Sequence, residues 1–342
     1  MHVSIRTALV ALVAAVLLGL FLRHADLRQV WTEVERSRWD LVAFSLVITG
    51  VTYVLRAVRW QYLLAPIGAV RFSTAFRTTV IGFAATALLP ARAGEVLRPY
   101  LLARQERLSA TAAFATIILE RVLDTVMVLL LFGVFLVAAD PRVGGADVQS
   151  FGRLKAGGLF VAFASIAILA AMFVLAGHPA MLTRLERSIV RWLPERLAAK
   201  AGGLVHAFAE GLAIVRQPLR LAVVLAWSVP LWLSIALGIW AVSRAFHIDL
   251  PFLGSFLIMA LLVIGVAVPT PGAVGGFHYF YRLGAVTFYG APNERAVGAA
   301  IVLHAVSFVP VAVVGLIFLA QDGLSLASVG RLARNRGAEE AT

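Results

Sequence analysis

The sequence contains no cysteine among its 342 residues. This absence excludes disulfides, thiolate metal sites, iron–sulfur clusters and cysteine nucleophiles. Charged residues are also scarce, at 14% compared with about 25% in soluble domains. Hydrophobic residues make up 61% and the mean hydropathy is +0.91, which is more apolar surface than a soluble globule of this size could bury. The composition therefore predicts an integral membrane protein.

Motifs of familiar catalytic and metal sites are also missing from the sequence. It has no Walker loop, no HExxH zinc motif, no GxSxG elbow and no aspartate-rich metal motif. We therefore expect no metal and no cofactor.

Basic residues outnumber acidic ones by 30 to 18, and only Lys155 and Lys200 are lysines. In a soluble protein this excess would suggest nucleic acid as a partner. In a membrane protein it is first explained by cytoplasmic loops that obey the positive-inside rule, so we expect no nucleic-acid partner. The planar guanidinium of arginine also suits phosphate better than the lysine ammonium does.

Membrane-spanning helices need about 20 mostly apolar residues. Candidate spans lie at 7–22, 41–64, 114–138, 155–176, 219–243 and 296–320. Two further apolar stretches, 73–105 and 252–290, are broken near their middles by proline and glycine. We predict an all-α integral membrane protein with about seven to nine membrane segments.

The two broken stretches share a spacing, because Pro90 and Gly94 lie four residues apart, as do Pro271 and Gly275. The residues that we assign to the breaks are Pro90, Gly94, Pro269, Pro271, Gly272, Gly275 and Gly276. One break would be ordinary, since proline and glycine are common in membrane helices. Two matched breaks favour an internal repeat with a binding site near the membrane midplane.

Clustered arginines predict the orientation, with 177–218 and the tail in the cytoplasm and the loops 139–153 and 245–251 outside. With this orientation, the number of membrane crossings becomes consistent if 73–105 forms a re-entrant hairpin, which enters and leaves the membrane on the same side. The segment 252–290 allows the same interpretation. We expect a multi-pass protein of a bacterial inner membrane with a cytoplasmic C-terminus. Arginines in the first loop argue mildly against this orientation.

One transmembrane domain is predicted over residues 1–324. Within it, 179–216 combines apolar residues at helical spacing with arginines, which is typical of an amphipathic helix lying on the cytoplasmic headgroups. We expect the tail, 325–342, to be disordered.

Ionisable residues inside a membrane helix are costly to bury and are therefore functional candidates. Glu120 and Asp124 are four residues apart and share a helix face, where the neighbouring Arg121 could neutralise one of them. The alternative is an interfacial anchor whose charged groups reach the headgroups.

Arg92, Glu95 and Arg98 surround the first break. A broken helix leaves N–H groups free, and a helix N-terminus attracts anions, so the two arginines suggest a phosphate cradle. Glu95 could tether either arginine or bind an amine or a proton. The alternative is an ordinary cytoplasmic loop.

Arg56 and Arg59 share a helix face beside Trp60, where anchoring is favoured and headgroup contact stays open. His278 directly follows the glycine-rich second break, and His304 lies within the last span. A lone membrane histidine is more often a hydrogen-bonded structural residue. The candidate substrate-binding residues are Arg56, Arg59, Arg92, Glu95, Arg98, Glu120, Arg121, Asp124 and His278; we assign no catalytic residue.

Four motifs together resemble the flippase-like membrane domain family related to the N-terminal region of lysylphosphatidylglycerol synthase. They are Arg56-Ala-Val-Arg59-Trp60, Leu89-Pro90-Ala-Arg92-Ala-Gly94-Glu95-Val-Leu-Arg98, Glu120-Arg121-Val-Leu-Asp124 and Pro269-Thr-Pro271-Gly272-Ala-Val-Gly275. The resemblance runs from residue 5 to 322. It implies movement of a phospholipid or a comparable lipid carrier between leaflets.

The sequence departs from that family in two ways. No aminoacyl-transferase domain follows the membrane region, so we expect a stand-alone member that does not itself make lysyl-lipid. Many relatives carry a glutamate at the position of His278, so an acidic role at this position is not supported in the present sequence. Members linked to hopanoid or glycolipid pathways widen the range of substrates that the resemblance implies.

We therefore expect a lipid flippase-like transporter for an anionic phospholipid or a polyprenyl-phosphate-linked lipid. The alternative is a membrane-embedded enzyme or enzyme subunit in glycolipid, polyprenyl-phosphate or hopanoid metabolism. A third hypothesis is a non-transporting partner of a synthase or glycosyltransferase. The missing metal motif favours the transporter, whose transport would be passive or ion-coupled because no ATPase motif is present.

Overall fold

The computed structural model of the protein describes residues 25–89, 92–138, 217–267 and 270–323, with scattered positions at 16–22 and 152–167. All regular structure in these ranges is helical. The helices are α1 (Leu27–Glu35), α2 (Trp39–Leu64), α3 (Phe72–Leu88), α4 (Ala93–Glu106), α5 (Ala110–Ala138), α6 (Pro218–Ala245), α7 (Gly254–Ala267), α8 (Gly276–Tyr289) and α9 (Asn293–Gln321). A 3₁₀ turn, Pro271–Ala273, precedes α8.

Helices α2, α5, α6 and α9 are long and apolar enough to cross a membrane, with mean hydropathies between 1.9 and 2.5. At about 1.5 Å per residue, each exceeds the ~30 Å hydrocarbon core of a bilayer. Their outward faces carry exposed aliphatic side chains, such as Val47, Leu130 and Ile317, which lipid would cover. The chain is therefore an all-α, multi-pass membrane protein, and that prediction is confirmed.

The two broken stretches each form a helical hairpin. In hairpin 1, α3 and α4 run antiparallel, and Arg71 Nε lies 3.2 Å from Glu106 Oε1 at the open end. In hairpin 2, α7 and α8 run antiparallel, with Gly254 beside Tyr289 at the open end. Helices of 14 to 17 residues are about 21–26 Å long, shorter than the hydrocarbon core. Each hairpin therefore returns to the side from which it started and is re-entrant.

Glycines allow the two helices of each hairpin to approach closely near the tip. A Cβ on Gly94 would overlap the carbonyl oxygen of Gly82, and a Cβ on Gly276 would overlap that of Gly265. Small residues permit such backbone approach in membrane helices. The equivalent glycine pairs explain why both breaks carry glycine beside proline.

The order span, hairpin, span occurs twice, first in α2–α5 and then in α6–α9. Spans α2 and α6 pack antiparallel, since Ser45 Oγ donates to the Gly238 carbonyl at 3.2 Å and Thr52 Oγ1 lies 2.7 Å from Ser234 Oγ. Two similar units that start with antiparallel helices are inverted relative to each other. The predicted internal repeat is therefore an inverted repeat, with hairpin 1 packed on α9 and hairpin 2 on α5.

The loops between the described helices gather at two ends of the bundle. At the hairpin 1 end, Arg77 near the start of α3 lies 2.7 Å from Asp322 just after α9. At the hairpin 2 end, the Arg38 N–H donates to the Ala245 carbonyl at 2.9 Å. The C-terminal end of α9 and the loop 246–253 thus lie at opposite ends of the bundle; the side of the membrane that each end faces stays a prediction.

The charged stretch before α2, which the sequence suggested to be a loop, contains helix α1. Asp26 caps it by accepting from the backbone N–H groups of Arg28 and Gln29. Predictions for spans 7–22 and 155–176, segment 179–216, the tail 325–342, and Pro90 and Pro269 fall largely or wholly outside the described residues.

We expect Gly94→Ala and Gly276→Ala each to lower the melting temperature of the detergent-solubilised protein. The added Cβ would overlap backbone oxygens of the partner helix, and overpacking of this kind costs about 1–3 kcal/mol. Gly133→Ala in α5 is the matched control, because nothing lies within 4 Å of its added Cβ. Equal melting temperatures for all three variants would contradict the close approach in the hairpins.

The inverted arrangement also predicts which positions share a side of the membrane. Single cysteines can be introduced without background because the chain has none. Gln105→Cys lies at the hairpin 1 end and Asp249→Cys at the hairpin 2 end, and both positions are exposed. A membrane-impermeant maleimide should label one from outside the cell and the other only after permeabilisation. Labelling of both from the same side would contradict the topology.

Candidate functional site

Two carboxylates on α5 lie inside the bundle between arginines. Arg59 of α2 is fully buried and places its guanidinium 2.6 Å from Asp124 and 3.5 Å from Glu120. Glu120 is also fully buried. A charge at such a position is tolerated only when it is paired and hydrogen-bonded. The pairing shows that Arg59 is a core residue and corrects the anchoring interpretation.

Arg98 of α4 approaches Glu120 from hairpin 1, with Nη1 3.1 Å from Oε1. Its guanidinium carbon lies 3.8 Å from the centre of the Trp60 ring, which is a close cation–π contact. Trp60 is fully buried, and its indole N–H donates to Thr116 Oγ1 at 3.0 Å. The ion pair therefore fixes hairpin 1 against α2 and α5.

Helix α6 of the second unit contributes polar partners to the same cluster. The Trp232 indole N–H donates to Asp124 Oδ1 at 3.0 Å, and Arg59 donates to Ser228 Oγ at 3.1 Å. Side chains of α2, α4, α5 and α6 thus meet at two carboxylates. We call Arg59, Arg98, Glu120 and Asp124 the ionic core.

Two more arginines stand at the edge of the ionic core. Arg121 contacts Glu120 and lies 3.3 Å from Asp124, with 38% of its side chain exposed. Arg56 places its guanidinium carbon 4.8 Å from the Phe83 ring centre, and its buried Nη1 has no hydrogen-bond partner among the described residues. Among the described residues, four guanidinium groups then face two carboxylates, which leaves two positive charges in excess.

A cavity of about 500 Å³ lies between the ionic core and the tips of the hairpins. Its charged lining consists of Arg56, Arg92, Glu95, Arg121 and Asp124. Its apolar lining includes Val128, Met259, Leu262, Phe277, Phe308 and Val311. Ligand cavities commonly have this size and this combination of apolar walls with a few convergent polar groups.

Arg92 connects the two hairpins across this cavity. It precedes α4 in the left-handed conformation, with a φ of 52°, which is uncommon for a residue other than glycine. One of its guanidinium nitrogens donates to the Val266 carbonyl at the end of α7, and another lies 3.5 Å from Glu95. The strained backbone therefore aims the side chain of Arg92 at the other hairpin.

The tips also approach each other through their backbones. A Cβ on Gly272, in the turn before α8, would lie 3.3 Å from the Ala87 carbonyl oxygen of α3. The same turn is held to the middle of α9, because His304 Nε2 lies 2.7 Å from the Gly272 carbonyl oxygen. The two breaks in the sequence thus meet beside one cavity, deep inside the bundle.

The family described as the lysylphosphatidylglycerol synthase TM region matches residues 6–315, nearly the whole chain. The chain belongs to this family. The match covers the first unit, the second unit as far as residue 315 in α9, and every residue that lines the cavity. The family resemblance read from the motifs is therefore confirmed.

Three curated relatives are between 24% and 27% identical to this chain over the aligned residues. The glycosyltransferase AglD of Haloferax volcanii is 24% identical over 87% of the chain and 51% of its own length. A UPF0104 membrane protein of Methanothermobacter thermautotrophicus is 24% identical over 80% of the chain and 86% of its own length. A UPF0104 membrane protein of Methanocaldococcus jannaschii is 27% identical over 29% of the chain and 30% of its own length. The chain thus spans about half of AglD.

The structure separates the candidate residues into three groups. Arg56, Arg92, Glu95, Arg121 and Asp124 line the cavity. Arg59, Arg98 and Glu120 form the wall behind it. His278 packs against His304 and Phe21, and the hairpin glycines serve helix packing or turns.

Arg92 and Arg98 do not converge on one cradle. Arg98 lies six positions after Arg92 and within α4, whereas Arg92 precedes α4 in the left-handed conformation, so helical spacing does not bring the two side chains to one face. Arg92 faces the cavity, whereas Arg98 faces Glu120 and Trp60. Arg56 and Arg121 take the place beside Arg92 that the sequence had suggested for Arg98.

Several contributors were not identified from the sequence. Trp232 and Ser228 bind the ionic core, and Phe83 lies beneath Arg56. A tryptophan or serine in a span carries no signal of its own, because its partner is set by tertiary packing.

Removing the carboxylate shared by Arg59 and Arg98 should strongly destabilise the protein. Glu120→Ala leaves buried guanidinium groups without their anion, and breaking a buried pair costs about 3–5 kcal/mol. Asp40→Ala is the control, since its pair with Arg38 is more than half exposed and is worth about 0–1 kcal/mol. Thermal unfolding in detergent measures both, and similar shifts would show that the ionic core does not stabilise the fold.

Proposed function

We propose that this protein moves an anionic lipid between the leaflets of the membrane and holds the lipid phosphate in the cavity between the hairpin tips. The observation that carries the proposal is the excess of guanidinium groups at this cavity; Arg56 among them is in no ion pair of the described residues, and its buried Nη1 has no hydrogen-bond partner there. An unpaired buried cation is costly. A bound anion would remove that cost.

The shape of the cavity supports an amphiphile as the cargo. Its lining combines arginines with aliphatic and aromatic side chains. A phosphate could accept hydrogen bonds from Arg56, Arg92 and Arg121, and guanidinium groups bind phosphate oxygens in a bidentate manner. The apolar wall could hold the first part of an acyl or polyprenyl chain.

The inverted repeat supports transport rather than storage. Transporters built from inverted repeats place their substrate site at the repeat interface near the midplane, beside broken helices. Here the interface is where Arg92 of hairpin 1 binds Val266 of hairpin 2. Rearrangement of one tip against the other would expose the cavity to one leaflet at a time.

A lipid-linked intermediate of glycolipid synthesis is a second candidate cargo. The Haloferax volcanii relative is named a glycosyltransferase, and this chain corresponds to about half of it. A polyprenyl phosphate carries the same phosphate group and a longer apolar chain. In this version the protein serves a partner synthase or glycosyltransferase by presenting the lipid to it.

The proposal includes an orientation in a bacterial inner membrane. The arginine-rich segment 177–218 and the C-terminus would face the cytoplasm. The hairpin 1 end would then be cytoplasmic and the hairpin 2 end periplasmic.

Arg56→Gln is the sharpest test, because Arg56 has no ion-pair partner among the described residues to lose. The variant should be as stable as the wild type or more so. Binding of fluorescent phosphatidylglycerol should weaken about tenfold to a hundredfold, since a hydrogen bond to a charged group is worth about 1.5–3 kcal/mol. Arg56→Lys should recover only part of the affinity.

The measurement is leaflet-specific quenching of the lipid probe in proteoliposomes, with a phosphatidylcholine probe for comparison. Arg71→Gln is the matched control, because the Arg71 side chain is 73% exposed at the open end of hairpin 1. It should transport phosphatidylglycerol like the wild type. A folded Arg56→Gln variant with wild-type binding and transport would refute the proposal.

A further inference from the structure

Two histidines lie in contact beside the tip of hairpin 2. His278 of α8 and His304 of α9 have ring centres 4.5 Å apart, and His278 is 7% exposed. Neither side chain lines the cavity, but each has a direct chain neighbour that does, Phe277 and Leu303. Each histidine is therefore adjacent in the chain to a residue that lines the proposed anion site.

Hydrogen bonding defines what each ring can accept. His304 Nε2 faces the Gly272 carbonyl oxygen at 2.7 Å, so this nitrogen carries a hydrogen and donates it. Its other ring nitrogen is then the one that can take a proton. Nδ1 of His278 is buried and has no hydrogen-bond partner among the described residues. The pair thus offers sites for a proton without breaking the bond to Gly272.

The surroundings of the two rings offer little that would stabilise the positive charge of an added proton. Phe21 lies 5.1 Å from His278, and Phe308 stacks on His304 at 4.5 Å between ring centres. Within the described ranges, neither ring is in an ion pair with a carboxylate. The nearby ionisable side chains of α8 already have partners: the Tyr281 hydroxyl lies 2.7 Å from Ser243 Oγ, and Arg282 donates to Asn293 at 2.6 Å.

The repeat places this pair opposite the ionic core. His304 lies eleven residues after the first residue of α9, and Arg121 lies eleven residues after the first residue of α5. Arg121 of the first unit, which is always charged, thus corresponds in position to His304 of the second unit, which can gain or lose its charge. A histidine can carry that charge in one step of a cycle and lose it in another.

We propose that the His278–His304 pair is a proton-binding site coupled to the cavity, which takes up a proton when an anion binds there. An imidazolium in this apolar setting lacks a carboxylate partner, and an anion beside Gly272 and Phe277 supplies the missing negative charge. Ring contact at 4.5 Å opposes a second proton, so the pair takes up one. The inference rests on the proposed anion site and adds proton coupling to it.

Coupling between two ligands is reciprocal, so an anion that favours the proton must itself bind more tightly when the proton is present. For one coupled proton, the affinity changes by up to about tenfold per pH unit where the pair titrates. The expected direction is tighter anion binding at lower pH. Glu95 and Asp124 also line the cavity, so proton uptake must be assigned by substitution.

The test is titration calorimetry of the purified full chain with a short-chain phosphatidylglycerol. Its phosphodiester does not titrate between about pH 5 and 8, where histidine does. Runs in two buffers of different ionisation enthalpy give the protons taken up per lipid bound. The wild type should take up a substantial fraction of a proton, and its affinity should fall as the pH rises through this range.

His278→Gln and His304→Gln should each abolish the proton uptake and flatten the pH dependence. Glutamine at 304 keeps an N–H for the Gly272 carbonyl, and His278 Nδ1 has no described hydrogen bond to lose. His247→Gln is the matched control, because His247 is an exposed histidine outside the cavity lining. It should behave like the wild type.

The outcomes separate this inference from the proposed function. Lipid binding without proton uptake, or uptake that persists in the folded histidine variants, overturns the coupled site and leaves the anion site standing. Absence of phosphatidylglycerol binding at every pH overturns both. Uptake that is lost in both histidine variants and kept in His247→Gln supports the proton site.

Discussion

Burial of Glu120 between Arg59 and Arg98 is the constraint from which the arrangement of the first unit follows. A carboxylate at this depth is stable only while both guanidinium groups stay beside it. That requirement fixes hairpin 1 against α2 and α5, with Trp60 closing the face of Arg98. The positive charge that remains in excess, at Arg56 and Arg121, faces the cavity.

The two units share a backbone plan but differ in what holds their hairpins. Hairpin 1 is fixed by ion pairs, whereas hairpin 2 is held through glycine contacts, apolar packing and the bond from His304 to Gly272. The two hairpins are therefore held by different kinds of contact, although Arg92 of hairpin 1 also binds the Val266 carbonyl of hairpin 2.

Sequence patterns predicted the four described spans and both breaks because hydrophobic length and proline–glycine spacing are local properties. They also selected Glu120 and Asp124, since charge in an apolar run is conspicuous. They could not distinguish Arg59 as a core residue from an anchor, because its partners lie on α5 and α6, far along the chain. Likewise, the proximity of Arg92 and Arg98 in sequence concealed their different helix faces.

The ionic core also constrains the order in which the protein can be made. Helix α5 carries two carboxylates and an arginine in its first half, and each such residue opposes entry of an isolated helix into lipid by about 2.5–3.5 kcal/mol when central. The compensating Arg59 belongs to α2, which leaves the ribosome earlier. Newly made α5 would thus enter the bilayer against a helix already there, and assembly would begin before synthesis ends.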